Sequence, residues 1–285
     1  MIPPIIRRHA AASATVVRVH LTARRRLSGA RLEIDPQPSV GAPRQVALAA
    51  IGASLAVMVL CARSAEAPLT FAWRPGAGEV AEGWRALTFK GIARHTRYTL
   101  VREGEDYVVK AEAEASASGL IHRIDVDAKS YPVLRWRWKV ENLLSKADVT
   151  RKQGDDYPAR IYVAFAYDPK RAGLGQRIKY QAARLIYGEY PPHAGLNYIW
   201  EGKAAVGSVV PNPFTERVRM IVVESGAAHL GQWREYERNL YQDYRAAFGE
   251  DPPAISGIAI MTDADNTGQS AVAYYGAVSL YPPER

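Results

Sequence analysis

Three short stretches hold the residue types that do chemistry. The first is Lys152-Gln-Gly-Asp155-Asp156-Tyr157-Pro-Ala-Arg160-Ile-Tyr162. The second is Asn197-Tyr-Ile-Trp200-Glu201 with Pro211-Asn212-Pro213 behind it, and the third is Met261-Thr-Asp263-Ala-Asp265-Asn266-Thr267-Gly268. Carboxylates and amide carbonyls in the third are hard oxygen donors of the kind calcium takes. Asp263 and Asp265 are the candidate metal ligands, and calcium is the ion they would suit. The alternating spacing and closing Glu of an EF-hand loop are missing. Asp-Asn-Thr-Gly is equally good turn chemistry, because Asn and Gly accept positive φ and short polar side chains bond nearby amides. Both readings stand at this level.

Asp155 and Asp156 are neighbours in the chain, and on an extended backbone they point to opposite faces. They are therefore no acid–base dyad by themselves. Either one of them pairs with Arg160 in a turn, or one faces Asp263 or Asp265 across a cleft. Glycoside hydrolysis needs two carboxylates about 5–10 Å apart, a distance that spacing alone does not supply. The residues expected to touch a ligand are Asp155, Asp156, Arg160, Tyr162, Asn197, Trp200, Asn212, Asp263, Asp265 and Asn266. Trp200, Trp233 and Tyr275 are the aromatic rings expected to stack on a sugar, with Asp263 or Asn266 bonding its hydroxyls.

Other catalytic machinery is missing from the sequence. His95, His122, His193 and His229 form no His-x-x-x-His pair, Ser225 lies in Glu-Ser-Gly-Ala rather than a Gly-x-Ser-x-Gly elbow, and there is no glycine-rich phosphate loop. Serine hydrolases, zinc proteases and nucleotide enzymes are poorly supported.

The elements that must position these loops are mostly strands. In Val133-Leu-Arg-Trp-Arg-Trp-Lys-Val140, the residues Leu134, Trp136, Trp138 and Val140 share one face and Arg135, Arg137 and Lys139 the other. Such alternation predicts a sheet with one packed and one solvated face. Arg160–Ala166 repeats it, and 98–102, 107–111, 120–126, 217–223, 255–261 and 271–281 read as further strands. Two helices are expected. One spans 176–187, with Ile178, Ala182 and Leu185 on a stripe. The other spans 231–248, where Trp233, Tyr236, Leu240 and Tyr244 recur at spacings of three and four before Gly249 and Pro252-Pro253. Strands and helices do not alternate, so a doubly wound parallel sheet is disfavoured. The expected fold is mainly β: a single antiparallel β-sandwich of jelly-roll type with about two peripheral α-helices.

Composition divides the chain. Every Trp, Tyr and Phe lies at or after Phe71, so residues 1–70 bring no aromatic anchor to a core. The first 67 residues carry 9 basic and 3 acidic side chains, and the remainder 28 and 26. With its charges nearly balanced, the domain offers no basic footprint for nucleic acid. Val46–Leu60 is an uncharged apolar run of 15 residues, preceded by Arg44 and followed by Ala65-Glu66-Ala67. That is the plan of a secretory signal peptide, and it is shorter than the roughly 20 apolar residues of a membrane span. Residues 44–67 are read as this signal, with an uncleaved membrane anchor as the lesser alternative. Residues 1–43 are read as a disordered or mis-annotated extension, with the real start near Val40 and a basic cytoplasmic tail as the rival, and residues 68–285 as one β-sandwich domain. The sole cysteine, Cys61, follows bulky Leu60 and fits a lipidation site badly. No disulfide or thiolate site is available to the domain. A periplasmic or secreted protein with no membrane span in its mature form is expected.

The same clusters resemble a known bacterial family, domain-of-unknown-function family 3047. The stretches that carry the resemblance are Ser116–Leu120, Leu134–Val140, Gly154–Val163, Leu196–Trp200, Pro211–Pro213 and Ile260–Gly268, in order over residues 80–280. The resemblance implies an exported bacterial protein and transfers no catalytic residues. Three functions are weighed on the residues: binding of a saccharide or cell-envelope ligand, polysaccharide cleavage by Asp155, Asp156, Asp263 and Asp265, and a purely structural periplasmic role.

Overall fold

The computed structural model describes residues 66–77, 80–170, 172–187 and 191–283. The signal-like segment and the extension before it lie outside these residues, apart from Glu66 and Ala67. Residues Cys61–Arg285 cluster as one compact unit, which holds every strand pairing and core cluster given below.

Its strands are β1 (Leu69–Phe71), β2 (Trp84–Leu87), β3 (Arg97–Glu103), β4 (Asp106–Glu114), β5 (Ala117–Val126), β6 (Val133–Val140), β7 (Ala159–Phe165), β8 (Ala194–Glu201), β9 (Val209–Asn212), β10 (Thr215–Ser225), β11 (Arg234–Asn239), β12 (Ile255–Asp263) and β13 (Ser270–Tyr281). The helices are α1 (Leu174–Tyr187) and α2 (Leu240–Phe248). One sheet runs β11-β6-β13-β4-β3 with β1 on β13, and the other runs β2-β5-β12-β7-β8-β10-β9. The chain passes from sheet to sheet eight times, between β1 and β2, β2 and β3, β4 and β5, β5 and β6, β6 and β7, β10 and β11, β11 and β12, and β12 and β13. The result is a two-sheet, mainly β sandwich of jelly-roll type with two helices, as expected.

The alternation in β6 does what it predicts. Leu134, Trp136, Trp138 and Val140 are buried between the sheets, and Arg135, Arg137 and Lys139 lie half-buried on the outer face. Trp136 packs on Tyr198 at 5.3 Å, and Trp138 faces Trp200 at 6.4 Å, joining the sheets through their largest side chains. Each such ring removes about 200 Å² from water, of the order of 5 kcal/mol in transfer terms before entropy is charged.

Two expectations need correction. Residues 234–239 are strand rather than the first turns of a helix. They pair antiparallel with β6, Tyr236 opposite Trp136, and the Tyr236 ring stacks on that indole at 5.3 Å. Tertiary packing overrides the helical spacing there. The helix begins at Leu240, where the Asn239 side chain accepts a hydrogen bond from Gln242 N at 3.0 Å, and ends at Gly249 with φ 73°. The second sheet is also not wholly antiparallel. β10 runs parallel to β8, because the chain crosses after Glu201 to form edge strand β9, which then pairs antiparallel with β10.

In the second sheet β7 and β8 are buried on both faces, apart from half-buried Tyr162. A smaller cluster of Val149, Tyr157, Ile199, Val218, Met220 and Val222 covers their outer side. The β6–β7 connection supplies its lid. Asp148 ties that connection through Thr150 N at 3.0 Å, and its own amide donates to Gly154 O at 2.9 Å. A Cβ on Gly154 would stand 2.7 Å from Asp148 N, so only glycine fits this close crossing.

Candidate functional site

Strand order brings together what the chain keeps apart. On the outer face of the second sheet, Asp263 ends β12, Arg160 and Tyr162 start β7, Asn197 lies on β8, Met220 on β10 and Asn212 on β9. Registers Met261↔Arg160, Tyr162↔Asn197 and Met220↔Asn197 set them side by side. The three chemical stretches therefore converge at one end of one sheet face.

At the centre is an ion pair. The Arg160 guanidinium grips Asp263 with both arms: Nε donates to Oδ1 at 3.0 Å, and Nη2 donates to Oδ2. Nη2 also reaches the Asp155 carbonyl at 3.3 Å, and the guanidinium lies 4.6 Å over the Tyr157 ring. Asp263 Oδ1 takes a further bond from Tyr157 N at 3.3 Å. Both partners are buried. Arg160 thus pairs with Asp263 rather than with an adjacent Asp.

Asp156 does a different task. Its Oδ1 accepts from Asn266 N and Nδ2, each at 3.2 Å, and its Oδ2 accepts from Thr267 N at 2.6 Å. A buried carboxylate thereby organises the turn that closes on Gly268, φ 66°. The turn is held from the other side by Ala264 N donating to Ser116 O at 3.0 Å and Ala115 N to Gln269 O at 2.9 Å. Ala115 has φ 43°, a left-handed conformation that costs an L-residue about 1 kcal/mol or more.

Asp155 faces a second pocket of polarity. Its Oδ2 accepts from Asn212 Nδ2 at 3.3 Å, and the Asn197 and Asn212 amides both point at Met220 Sδ, at 3.5 and 3.7 Å. Asp155 Oδ1 and Asn197 Oδ1 are buried, and neither has a hydrogen-bond partner of ordinary geometry. The Tyr157 hydroxyl is directed at the Asp155 carboxyl as a donor and opposes the rise that burial imposes on it, so Asn197 Oδ1 is the acceptor that stays open. Half-exposed Tyr162 and Asn212 stand at the rim, as do half-exposed Asp265 and exposed Asn266 on the other side.

Trp200 does not belong to this site. It faces the sandwich core, fully buried, with its Nε1 donating to Gly226 O at 3.1 Å, so it offers no ring to a sugar. Tyr275 is likewise interior: its hydroxyl bridges Thr262 Oγ1 at 2.8 Å and the Met261 carbonyl at 2.6 Å. Trp233 lies on the opposite sheet, where Arg137 sits 4.8 Å over its ring. Tyr157 is the residue that sequence reading missed. Its flanking Asp155-Asp156 and Arg160 were the available signal.

Asp156, Asp263 and Asp265 each place a carboxylate oxygen within 4.8 Å of the others, close enough to share a cation. The oxygens of Asp156 and Asp263 already accept N–H donors, however, and the Arg160 guanidinium supplies the positive charge. The residues do not fit calcium, which takes six to eight oxygens. Burial pushes the Asp263 carboxyl well above the usual aspartate value, with Arg160 opposing and Asp156 and Asp155 adding to the rise. Burial also raises Asp155, and Asp265 is raised by burial and then by Asp156. The proton belongs to the cluster as a whole, as in any set of strongly interacting sites.

A pH dependence follows. Carboxyls that ionise less readily folded than unfolded weaken the fold as pH rises through that interval. Lowering pH from neutrality toward the ordinary aspartate range should therefore raise the melting temperature. His122, lowered by burial, opposes this as pH falls through the imidazole range, whereas Glu112, held low by Lys110, and Asp148, held low by Thr150, act in the opposite sense only at and below the aspartate range. The melting temperature should peak on the acid side of neutral, and Asp155→Asn should flatten the rise. Calorimetry across this range checks it, and a melting temperature that falls steadily from neutrality would refute it.

Fold and site together define a two-sheet sandwich with a buried polar cluster at one end. The chain belongs to the family described as a protein of unknown function, DUF3047, whose model matches residues 82–279. No curated protein sequence matches it. Among solved structures it is similar to the family 11 carbohydrate-binding module of a cellulosomal cellulase of Clostridium thermocellum, at 11% identity over 78% of this chain and 99% of that one, TM-score 0.39. It is also similar to the adhesin domain of Lys-gingipain from Porphyromonas gingivalis, at 11% identity over 77% and 100%, TM-score 0.34. The family 30 carbohydrate-binding module of another Clostridium thermocellum cellulase matches at 8% identity over 78% and 96%, TM-score 0.33. At these scores nothing about function follows from the likeness.

Proposed function

We propose that the domain is an exported module that binds a hydroxylated ligand, a saccharide of the cell envelope, at the Asp155–Asn197–Asn212 end of the second sheet. The observation that carries this reading is the buried Asn197 Oδ1, left without a donor in a polar cluster with the Asp155 carboxyl and the Asn212 amide. A buried acceptor without a partner costs about 1–3 kcal/mol, and a site that accepts this cost is poised for a donor from outside. Sugar hydroxyls donate and accept at once, which suits a free acceptor on Asn197 beside the Asn212 amide and the Asp155 carboxyl. Export rests on the segment at 44–67. No helix among the described residues is long and apolar enough to cross a membrane.

Catalysis by these carboxylates is less well supported. Asp156 and Asp263 spend their oxygens on N–H donors, so neither is a free nucleophile or base. Titration of the protein with envelope oligosaccharides, followed by calorimetry and by NMR shifts of the Asn197 and Asn212 amides, tests the binding reading. Affinity should fall about tenfold or more in Asn212→Ala, the loss expected for a hydrogen bond in a buried site. No binding to any oligosaccharide, or equal binding by Asn212→Ala, would refute it.

A further inference from the structure

We propose that α1 is an interfacial anchor, lying flat in the headgroup region of an anionic phospholipid bilayer with Leu174 and Ile178 inserted. The inference goes beyond the saccharide reading and uses none of its residues.

The helix leaves the sandwich between β7 and β8. Among its described side chains, Tyr180 ties it to the sandwich: the ring stacks on Tyr167 at 3.8 Å and 9°, and its hydroxyl donates to Pro192 O at 3.3 Å. Leu174 and Ile178 are 76% and 64% exposed, the most exposed large hydrophobic side chains among the described residues. At about 100° per residue, Tyr180 falls roughly 120–160° round the helix from them. Leu174 and Ile178 therefore face away from the side on which Tyr180 is held.

Charge says what would cover that face. Between Asp168 and Glu189 the chain carries Lys170, Arg171, Arg177, Lys179 and Arg184 and no acidic residue. Arg177 and Lys179 fall on opposite flanks of the Leu174–Ile178 stripe, roughly 60–100° from it. An apolar stripe flanked by long cationic side chains is the pattern of a helix lying in a membrane interface, its stems reaching back to the headgroups. At 14 residues the helix is too short to span a bilayer. A second copy is a poor occupant, because pairing this face with itself would set two cationic stretches against each other. Anionic lipid complements both the apolar stripe and its charge.

The test uses the Cys61–Arg285 unit, which holds every core cluster of the described residues and whose cooperative melting is checked first, with vesicles of equal phosphatidylglycerol and phosphatidylcholine or of phosphatidylcholine alone. The unit should co-sediment with the anionic vesicles, and added salt should release it. L174S/I178S and R177E/K179E should each weaken partition about tenfold or more, as should removal of the anionic lipid. The melting temperature of L174S/I178S should stay unchanged, because the face is unpacked. The proposal is overturned if the unsubstituted unit stays in the supernatant, if either variant partitions equally, or if L174S/I178S melts lower. It is also overturned if size-exclusion shows a dimer that L174S/I178S dissolves while vesicle binding persists.

Discussion

Replacing Arg160 with methionine should destabilise the sandwich by about 3–5 kcal/mol, the cost of stranding a buried charge once its partner is removed. Methionine keeps most of the apolar stem, so the loss reports the charge rather than a cavity. Asp263 would then sit buried with Asp155 and Asp156 nearby and no guanidinium to offset them. Against a total stability of about 5–15 kcal/mol for a folded domain, the single variant approaches unfolding at physiological temperature. The double variant Arg160→Met/Asp263→Leu should recover most of the loss, since exchanging a buried pair for apolar side chains is often neutral or better. Urea titration of wild type, both singles and the double closes the cycle. Additive single effects would mean that the two groups do not depend on each other.

Asp156→Asn should cost about 2–4 kcal/mol despite preserving shape. The carboxylate accepts three N–H bonds from Asn266 and Thr267, and bonds to a charged acceptor are worth about 1.5–3 kcal/mol each. An amide keeps one accepting oxygen and turns its NH2 toward the remaining donors. Asp265→Asn, at a half-exposed position whose bond from Asn266 Nδ2 is a long 3.5 Å, should stay within about 0.5 kcal/mol. The contrast separates a carboxylate that builds the loop from one that merely lies in it. Equal melting curves for Asp156→Asn and wild type would return Asp156 to the list of catalytic candidates.

Much of the fold was legible because β6 alternates so strictly that its buried face admits only one reading. The second helix was half wrong for a physical reason. Trp233, Tyr236, Leu240 and Tyr244 repeat at helical spacing, yet Tyr236 gains more from stacking on Trp136 in a strand. Trp200 was misjudged because β8 is covered on both sides, so no alternation separates its core face from its outer face. The candidate site was legible as three stretches and illegible as one place. Their meeting depends on the order β12-β7-β8-β10-β9, which nothing local encodes. The choice of Asp263 over Asp155 as the partner of Arg160 follows from that order too. Met261 stands opposite Arg160, and Asp263 follows two residues on with its side chain on the same face.

The pairing of β1 with β13, Leu69 opposite Leu280, has a kinetic consequence. Nearly every ladder in the sandwich joins segments remote in sequence, and such topologies fold slowly, over milliseconds to seconds. Synthesis proceeds at about 5–20 residues per second. The first strand of the domain therefore waits about ten seconds or longer for its neighbour to be made. Through that interval β4 and β6 also lack the strand that joins them, so the first sheet is the last part of the sandwich to close.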